Sequence, residues 1–311
     1  MTSKRLTEQF KKAQETLAKH IRENRPNITD SSIKTYVSLL SNLYYKDHDR
    51  NEPMDISFFR NQTRILQLLD DKTPQTRKTV LASIIVLNGK EHTNQFIEKK
   101  MKEDMEETRK IDDTQTKSEK QKENWESYDN IKLLHQSYLS EAEKILNEKG
   151  KPDEAKLHLL TRFMMLSLSS GIYMPPRRSE MVLIKIKDYD PAKDNYIDLK
   201  KGEFVYNQYK TVKKYGEQRV AFSPEFKPIL KKYLAKVNGQ TYLLERNGRP
   251  FLATELTREM HNIFGKKIST SMLRHIYLSE VYKNVPALQE MKERASDMGH
   301  SISESLKYVK Q

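Results

Sequence analysis

The segment PPRRSEMVLIKIKDYD, residues 175–190, decides the fold and chemistry expected of this chain. Two prolines open it, and proline suits the first turn of a helix. Arg177 follows them, so we expect its guanidinium near a helix N-terminus, where an anion is favoured. A guanidinium placed there can hold a phosphate through two parallel hydrogen bonds. The adjacent Arg178 is a second candidate for contact with a phosphate.

A second basic segment, YKTVKKYGEQRV at residues 209–220, lies between two runs of β-forming residues. Gly216 within it is typical of a turn, so we predict a β-hairpin with a cationic tip. Lys210, at the end of the first strand, can reach a DNA groove and give a proton to a leaving oxygen. The other basic side chains of the hairpin are candidate DNA contacts: Lys213, Lys214 and Arg219.

A third segment, SMLRHIYLSEV at residues 271–281, places an arginine among apolar residues. Arg274 there must find an anion or a buried partner, because an unpaired charge is costly away from water. His275 beside it is a further candidate DNA contact.

The last segment, MGHSISESLKY at residues 298–308, adds a histidine and a tyrosine. His300 can hydrogen-bond a phosphate, and the hydroxyl of Tyr308 can attack one. With two arginines and a lysine, these residues form a set able to cut and rejoin DNA without a metal.

The four segments, in this order, resemble the motifs of tyrosine recombinases, the phage integrase family. Residues 177–188 are similar to R-x-S-E-L-x-x-L-x-x-x-D, residues 271–279 to H-x-L-R-H-x-x-A-T, and residues 298–308 to L-G-H-x-S followed by a tyrosine. The helical N-terminal half is similar to the core-binding domain that precedes the catalytic domain in this family. The resemblance implies site-specific DNA recombination or integration, with duplex DNA as partner.

The resemblance also implies a role for each residue. Arg177 and Arg274 would clamp the scissile phosphate and balance the charge of its transition state. Lys210 would act as general acid, His300 would hydrogen-bond the phosphate, and Tyr308 would form a 3′-phosphotyrosyl intermediate. That linkage preserves the energy of the phosphodiester, so neither a cofactor nor a metal is expected.

The chain departs from the family pattern in three places. Ser271 stands where a histidine is expected, three residues before Arg274. The interval from His300 to Tyr308 is eight residues, one shorter than the family pattern implies. Only residues 309–311 follow the tyrosine, whereas many family members grip a neighbouring protomer with a longer tail.

The composition fits a nucleic-acid partner. The formal net charge is +13, and it is spread along the whole chain, which favours DNA over a membrane surface. Cysteine is absent, which excludes disulfides and thiolate metal sites and fits an intracellular setting. Residues 1–25 lack the apolar core of a signal peptide, and no apolar run reaches the length of a membrane span. We therefore expect a soluble protein in the cytoplasm or nucleus, wherever its DNA lies.

The pattern of apolar residues predicts a fold that is mainly α with a small antiparallel β-sheet, an α+β class. We assign a helical core-binding domain to residues 1–110, a charged linker to 111–126 and the catalytic domain to 127–311. The first domain should hold four helices, the third over 56–69 and the fourth ending at Asn88-Gly89. In the catalytic domain, the strand-forming runs are NYIDL, EFVYNQYK and QRVAFS.

Three other functions stay open from the sequence. A type IB topoisomerase shares the tyrosine chemistry and acts as a monomer. The resemblance to recombinases implies instead a homotetramer on DNA, to which accessory proteins can be added. A DNA-binding protein that has lost catalysis on the same fold would fit Ser271. A metal-dependent nuclease rests on the acidic residues Asp188, Asp190 and Asp194, which lack the pattern of a calcium loop. The family resemblance further suggests a mobile element or viral genome integration.

Overall fold

The structure is a computed structural model that describes residues 8–92, 94–298 and 301–302. Contacts divide the chain into two compact units, one of residues 1–116 with 287–311 and the other of residues 117–286. The chain therefore passes between units after Thr116 and again after Pro286. The core-binding domain assigned to residues 1–110, the linker at 111–126 and the catalytic domain at 127–311 stay predictions.

All regular elements in the described part of the first unit are helices. Its elements are α1 (Glu8–Asn24), α2 (Asp30–Tyr44), a 3₁₀ helix (Ile56–Arg60), α3 (Gln62–Leu69), α4 (Pro74–Asn88), α5 (Gln95–Asp113) and, near the end of the chain, α13 (Leu288–Asp297). Apolar residues at helical spacing turn inward and form its core, where Leu17, Leu40 and Leu81 are fully buried. As predicted, α4 ends at Gly89, whose φ of +64° is one that few side chains tolerate.

The helix predicted over residues 56–69 is broken in two. Asp55 caps the 3₁₀ helix by accepting a hydrogen bond from the amide of Ser57. Asn61 then ends that helix and caps α3, accepting from the amide of Arg64 at 3.1 Å. Capping by a short polar side chain competes with the continuous helix, which explains the interruption.

A buried ion pair joins α4 to α5. The guanidinium of Arg77 donates to both carboxylate oxygens of Asp104, at 2.8 and 2.5 Å, and to the carbonyl of Lys72 at 3.0 Å. The Asp104 side chain is fully buried, and Lys100 approaches it at 3.6 Å. The hydrogen bonds to Asp104 raise the pKa of Arg77 above its usual value. Asp104 therefore takes two hydrogen bonds from Arg77, and Arg77 and Lys100 together balance its charge.

We expect Arg77→Met to lower the free energy of unfolding of the first unit by ~3 kcal/mol, because it removes two hydrogen bonds from a buried carboxylate and leaves it with Lys100, at 3.6 Å, as its cation. Arg109→Met, which removes an exposed pair with Glu106 on the same helix as Asp104, serves as the matched control. Urea titration followed by circular dichroism measures both. Equal effects of the two substitutions would contradict the assignment.

Helix α13 joins the first unit through the end of α5. The amide of Leu288 donates to the side chain of Gln115 at 2.8 Å, and Lys292 pairs with Asp113 at 2.5 Å. From the sequence, this part of the chain is predicted to belong to the catalytic domain, and that assignment stays a prediction.

The second unit combines helices with two small sheets. Its elements are α6 (Glu119–Asn124), α7 (Tyr128–Asn147), α8 (Glu154–Ser169), a 3₁₀ helix (Ser179–Leu183), β1 (Ile184–Lys185), β2 (Asn195–Asp198), β3 (Glu203–Tyr206), α9 (Val212–Tyr215), β4 (Gln218–Ala221), α10 (Phe226–Lys236), β5 (Glu245–Arg246), β6 (Arg249–Pro250), α11 (Ala253–Phe264) and α12 (Thr270–Val281). The predicted α+β class is confirmed. In the described part of the chain, no helix is both long and apolar enough to cross a membrane.

The main sheet has the order β1-β2-β3-β4. The three strands predicted from sequence pair antiparallel, whereas β1 adds to β2 in parallel. The sheet is therefore mixed. Its inner face carries Phe204 and Tyr206, which are buried in the core of this unit.

The segment predicted as a charged linker contains α6. Ser118 caps this helix, and Gln121 completes a capping box by accepting from the amide of Ser118 at 2.8 Å. The buried side chain of Asn124 accepts from the amide of Lys267 at 2.9 Å. Capping and this long-range hydrogen bond give order to residues whose composition alone indicated a flexible linker.

A histidine is buried in the core of the second unit. His135 on α7 is 3% exposed, and its Nε2 lies 3.0 Å from the hydroxyl of Ser167 on α8. The rings of Phe163 and Tyr173 surround it at centroid distances of 5.5 and 5.1 Å. Burial lowers the pKa of His135 from its usual value near 6.5 to about 4.

We expect His135 to make the second unit acid-labile. Between pH 6.5 and about pH 4 the unfolded chain binds a proton at this residue and the folded one does not. The free energy of unfolding therefore falls as pH falls through that range, by roughly 3 kcal/mol in total. Thermal unfolding from pH 7 to pH 4 measures the loss. His135→Gln should flatten it, whereas the exposed His92→Gln should not.

Candidate active site

Three of the sequence motifs meet at one cleft in the second unit. The cleft has a volume of about 440 Å³ and is lined by Arg177, Arg178, Glu180, Tyr209, Lys210, Thr211, Tyr215, Gln218 and Arg274. The sequence named four of these side chains as candidates, namely Arg177, Arg178, Lys210 and Arg274. They come from the segment after α8, the β3–β4 connection and α12. Folding thus brings together cations that are far apart in the chain.

Arg177 is held on several sides. Its guanidinium pairs with Glu180 at 3.2 Å and donates to the side-chain oxygen of Gln218 at 3.3 Å. The guanidinium carbon lies 4.6 Å from the ring centre of Tyr206 and 5.1 Å from that of Tyr209. Cation–π contacts of this kind favour a fixed, partly desolvated guanidinium. Its Nε is buried and makes no hydrogen bond with residues in the described ranges.

The helix expected after Arg177 is a short 3₁₀ helix. Residues Ser179–Leu183 form it, and Arg178 precedes it without a capping hydrogen bond from its side chain. So short a helix has little macrodipole, so the expected help from a helix N-terminus is absent. The side chains of the cleft must supply the positive potential themselves.

Arg274 lies in the second turn of α12, partly buried. Burial lowers the pKa of its guanidinium below the usual value, the positive charges of Arg178 and Arg177 act in the same direction, and Glu180 opposes them. Within the ranges that the structure describes, Arg274 makes no ion pair or side-chain hydrogen bond. An anion in the cleft would relieve this imbalance.

Lys210 occupies the connection between β3 and β4, as expected, but the connection is not a simple hairpin tip. It contains α9, which ends at Gly216 with a φ of +66°. Lys213 and Lys214 lie exposed on α9, and Lys210 is exposed at the cleft. All three lysines can therefore reach a ligand from solvent.

Arg219 lies away from the cleft. It follows Gln218 on β4, and successive side chains of a strand point to opposite faces. Its guanidinium is within 2.8 Å of Glu217, 3.4 Å of Glu203 and 3.8 Å of Asp198. The hydrogen bond to Glu217 raises its pKa above the usual value. The charge of Arg219 is thus largely neutralised inside the protein.

Ser271 and His275 line a second cleft of the same unit, of about 350 Å³, together with His261 and Lys267. Ser271 precedes Arg274 by three residues, so the two lie on neighbouring parts of α12. The structure thus places another histidine, His261, in the cleft that contains the serine found where the family pattern has histidine. Nothing in the local sequence around His261 indicated this.

His300 and Tyr308 lie outside the described residues, so their predicted roles stay predictions. Asp194, one of the acidic residues that suggested a nuclease, is used by the fold. Asp194 accepts from Lys185 Nζ and from the amide of Asp190, both at 2.9 Å. Among the described residues, no group of three or more His, Asp or Glu could hold a metal ion.

Sequence reasoning missed the residues that position the cations. Glu180 stood within a quoted motif without a role, and Tyr206, Tyr209 and Gln218 were read only as parts of strands. The antiparallel pairing of β3 and β4 places Tyr206 opposite Gln218. This pairing could have indicated that the two side chains lie together, but not that both contact Arg177, which comes from another segment.

Comparison with protein-family models gives no match for this chain. Comparison with curated protein sequences gives none either. Among solved structures, the chain is similar to the crystal structure of XerA recombinase, with 16% identity over 96% of this chain and 94% of that one, at a TM-score of 0.37. A score of this size does not establish a common fold, so the motifs and the cleft carry the proposal below.

We expect the clustered charges to cost stability until an anion binds. Arg274→Met should raise the free energy of unfolding of the second unit by about 1 kcal/mol, because it replaces an uncompensated, partly buried charge with an apolar side chain. Sulfate at constant ionic strength should stabilise the wild type and have less effect on this variant. Thermal unfolding measures both effects. Arg258→Met, at an exposed arginine that does not line the cleft, should respond to sulfate like the wild type.

Proposed function

We propose that this protein is a DNA strand transferase of the tyrosine-recombinase type, which cleaves and rejoins DNA through a 3′-phosphotyrosyl intermediate. The observation that carries the proposal is the meeting of Arg177, Lys210 and Arg274 in one cleft. These residues belong to three separate segments that resemble the recombinase motifs in order. A scatter of unrelated surface cations would not converge in this way.

The cleft fits a phosphodiester by charge. Four cationic side chains and one carboxylate, Glu180, are among its described lining residues. Because Glu180 already pairs with Arg177, the positive charge of Arg178, Lys210 and Arg274 is left to a ligand. Phosphate oxygens are the acceptors that guanidinium groups bind most directly. The overall charge of +13 would add salt-dependent attraction to duplex DNA.

In the proposed reaction, Arg177 and Arg274 hold the non-bridging oxygens of the scissile phosphate and stabilise the charge that develops on them. The hydroxyl oxygen of Tyr308 forms a bond to phosphorus and gives its proton to water, since no side chain is assigned as its base. The bond from phosphorus to the 5′ oxygen breaks, and Lys210 gives that oxygen a proton. Attack by a 5′ hydroxyl reverses these steps and releases the tyrosine, so religation requires no external energy source.

The missing histidine affects the proposed rate more than the reaction itself. A general base contributes typically 10²–10⁴-fold, so a serine at position 271 would slow the deprotonation of the tyrosine. His261 and His275 line the second cleft and not the one that holds Arg274, so neither is assigned the role of base. His300 remains a predicted phosphate contact.

Nicked suicide duplexes test the proposal, because loss of the cleaved fragment traps the covalent intermediate. The wild type should form a protein–DNA adduct that survives denaturation, and Tyr308→Phe should abolish it, since no oxygen remains to attack. Tyr282→Phe, at an exposed tyrosine outside the cleft, is the matched control and should form the adduct as the wild type does.

Tyr215 gives the experiment a second arm, because this exposed tyrosine also lines the cleft. An adduct that persisted in Tyr308→Phe and disappeared in Tyr215→Phe would overturn the assignment of the nucleophile. Specific DNA binding without an adduct in the wild type would favour the inactive DNA-binding protein instead. Relaxation of supercoiled plasmid by dilute monomer would favour a type IB topoisomerase.

A further inference from the structure

One tyrosine connects the two parts of the cleft that would handle the phosphate and the leaving group. Tyr209 directly precedes Lys210. Its hydroxyl donates to the carbonyl of Gly216 at 2.7 Å, and its ring lies 5.1 Å from the guanidinium carbon of Arg177. No role for this residue follows from its sequence context.

The hydrogen bond closes the loop that carries Lys210. Residues 209 and 216 are the two ends of the segment that contains α9, and the amide of Gly216 also donates to the carbonyl of Val212 at 2.8 Å. The hydrogen bond from the Tyr209 hydroxyl to Gly216 therefore joins the two ends of this loop. Lys210 directly follows Tyr209, so its backbone has fewer accessible conformations.

The start of this loop is fixed from the other side by Asn195, which is fully buried. Its side-chain oxygen accepts from the amides of Asn207 and Gln208 at 2.8 and 2.7 Å. Its side-chain nitrogen donates to the carbonyl of Glu180 at 3.3 Å. The loop therefore starts from a rigid base that also contacts the Arg177 segment, and Tyr209 is the next residue out from that base.

The ring of Tyr209 makes a separate contact, with the guanidinium of Arg177. Arg177 lies over two aromatic rings, and Tyr206, the nearer one, is buried in the core. Tyr209 adds the second ring from the loop itself. A single side chain thus contacts the arginine proposed to clamp the phosphate and restrains the lysine proposed to protonate the leaving oxygen.

We propose that Tyr209 is a positioning residue, which sets Lys210 through its hydroxyl and Arg177 through its ring. The inference rests on the proposed function, since it assigns that arginine and lysine their roles. It separates into two claims, because the hydroxyl and the ring can be removed independently.

The two claims are tested on full-length protein with two suicide duplexes, one with the natural 5′ oxygen at the scissile bond and one with sulfur in its place. A thiolate is a better leaving group than an alkoxide and departs without a proton, so its release does not need Lys210. Tyr209→Phe keeps the ring and removes the hydrogen bond. We expect it to slow cleavage of the oxygen substrate by ~10- to 100-fold, a part of what a general acid contributes, and to leave cleavage of the sulfur substrate near the wild-type rate.

Tyr209→Leu removes the ring as well and should slow cleavage of both substrates, because Arg177 then loses one of its aromatic contacts. Tyr282→Phe serves again as control. Equal slowing of both substrates by Tyr209→Phe would point to a general structural effect and overturn the link to Lys210. Wild-type rates in Tyr209→Leu would overturn the link to Arg177.

A readout without catalysis keeps the inference separate from the proposed function. In Tyr209→Phe, amide hydrogen exchange of residues 210–216 should become faster, while stabilisation by sulfate should persist. In Tyr209→Leu, the stabilisation by sulfate should also fall. A wild type that forms no adduct would overturn the proposed function alone. Unchanged exchange in Tyr209→Phe would overturn the positioning role of its hydroxyl, whether or not the wild type cleaves DNA.

Discussion

Repulsion among like charges is the constraint on which the candidate site depends. Arg177, Arg178, Lys210 and Arg274 line one cleft with a single carboxylate among its described residues. Such a cluster opposes folding, and it persists because the surrounding structure holds each charge in place. The core of the second unit supplies that stability, through buried helices and the inner face of the sheet. A bound polyanion would reduce this repulsion, which favours its binding at the cleft.

Two different ways of handling a buried charge occur in this chain. In the first unit, Arg77 meets the two oxygens of Asp104, and the pair is complete without any ligand. In the second unit, Arg177 contacts one carboxylate, one amide and two aromatic rings, while Arg274 has no ion-pair partner in the described ranges. The first arrangement serves the fold, and the second is typical of a binding site.

Much of the fold could be predicted from the sequence, because long amphipathic helices and short alternating strands leave clear periodic patterns. The helices around residues 128–147, 226–236 and 253–264 and the three antiparallel strands follow those patterns closely. The break at Asn61 could not be predicted from periodicity, because it depends on a side chain that caps α3. The order of α6 could not be predicted either, because it depends on a hydrogen bond between Asn124 and the distant Lys267. The residues of the candidate site likewise include some that the sequence predicts and some that it does not. Ordered motifs pointed to the cations of the cleft, whereas Gln218 contacts an arginine 41 residues away and left no local signal.

The return of α13 to the first unit has a consequence for the order in which the protein folds during synthesis. The second unit is inserted into the first, and the contact between Gln115 and Leu288 spans 173 residues of chain. Domains generally fold as units while the chain is being made, so the first unit cannot add α13 until the second has been synthesised. The second unit is continuous from residue 117 to 286 and needs no later segment for its core. Helix α13 is therefore made after every described residue that lines the cleft.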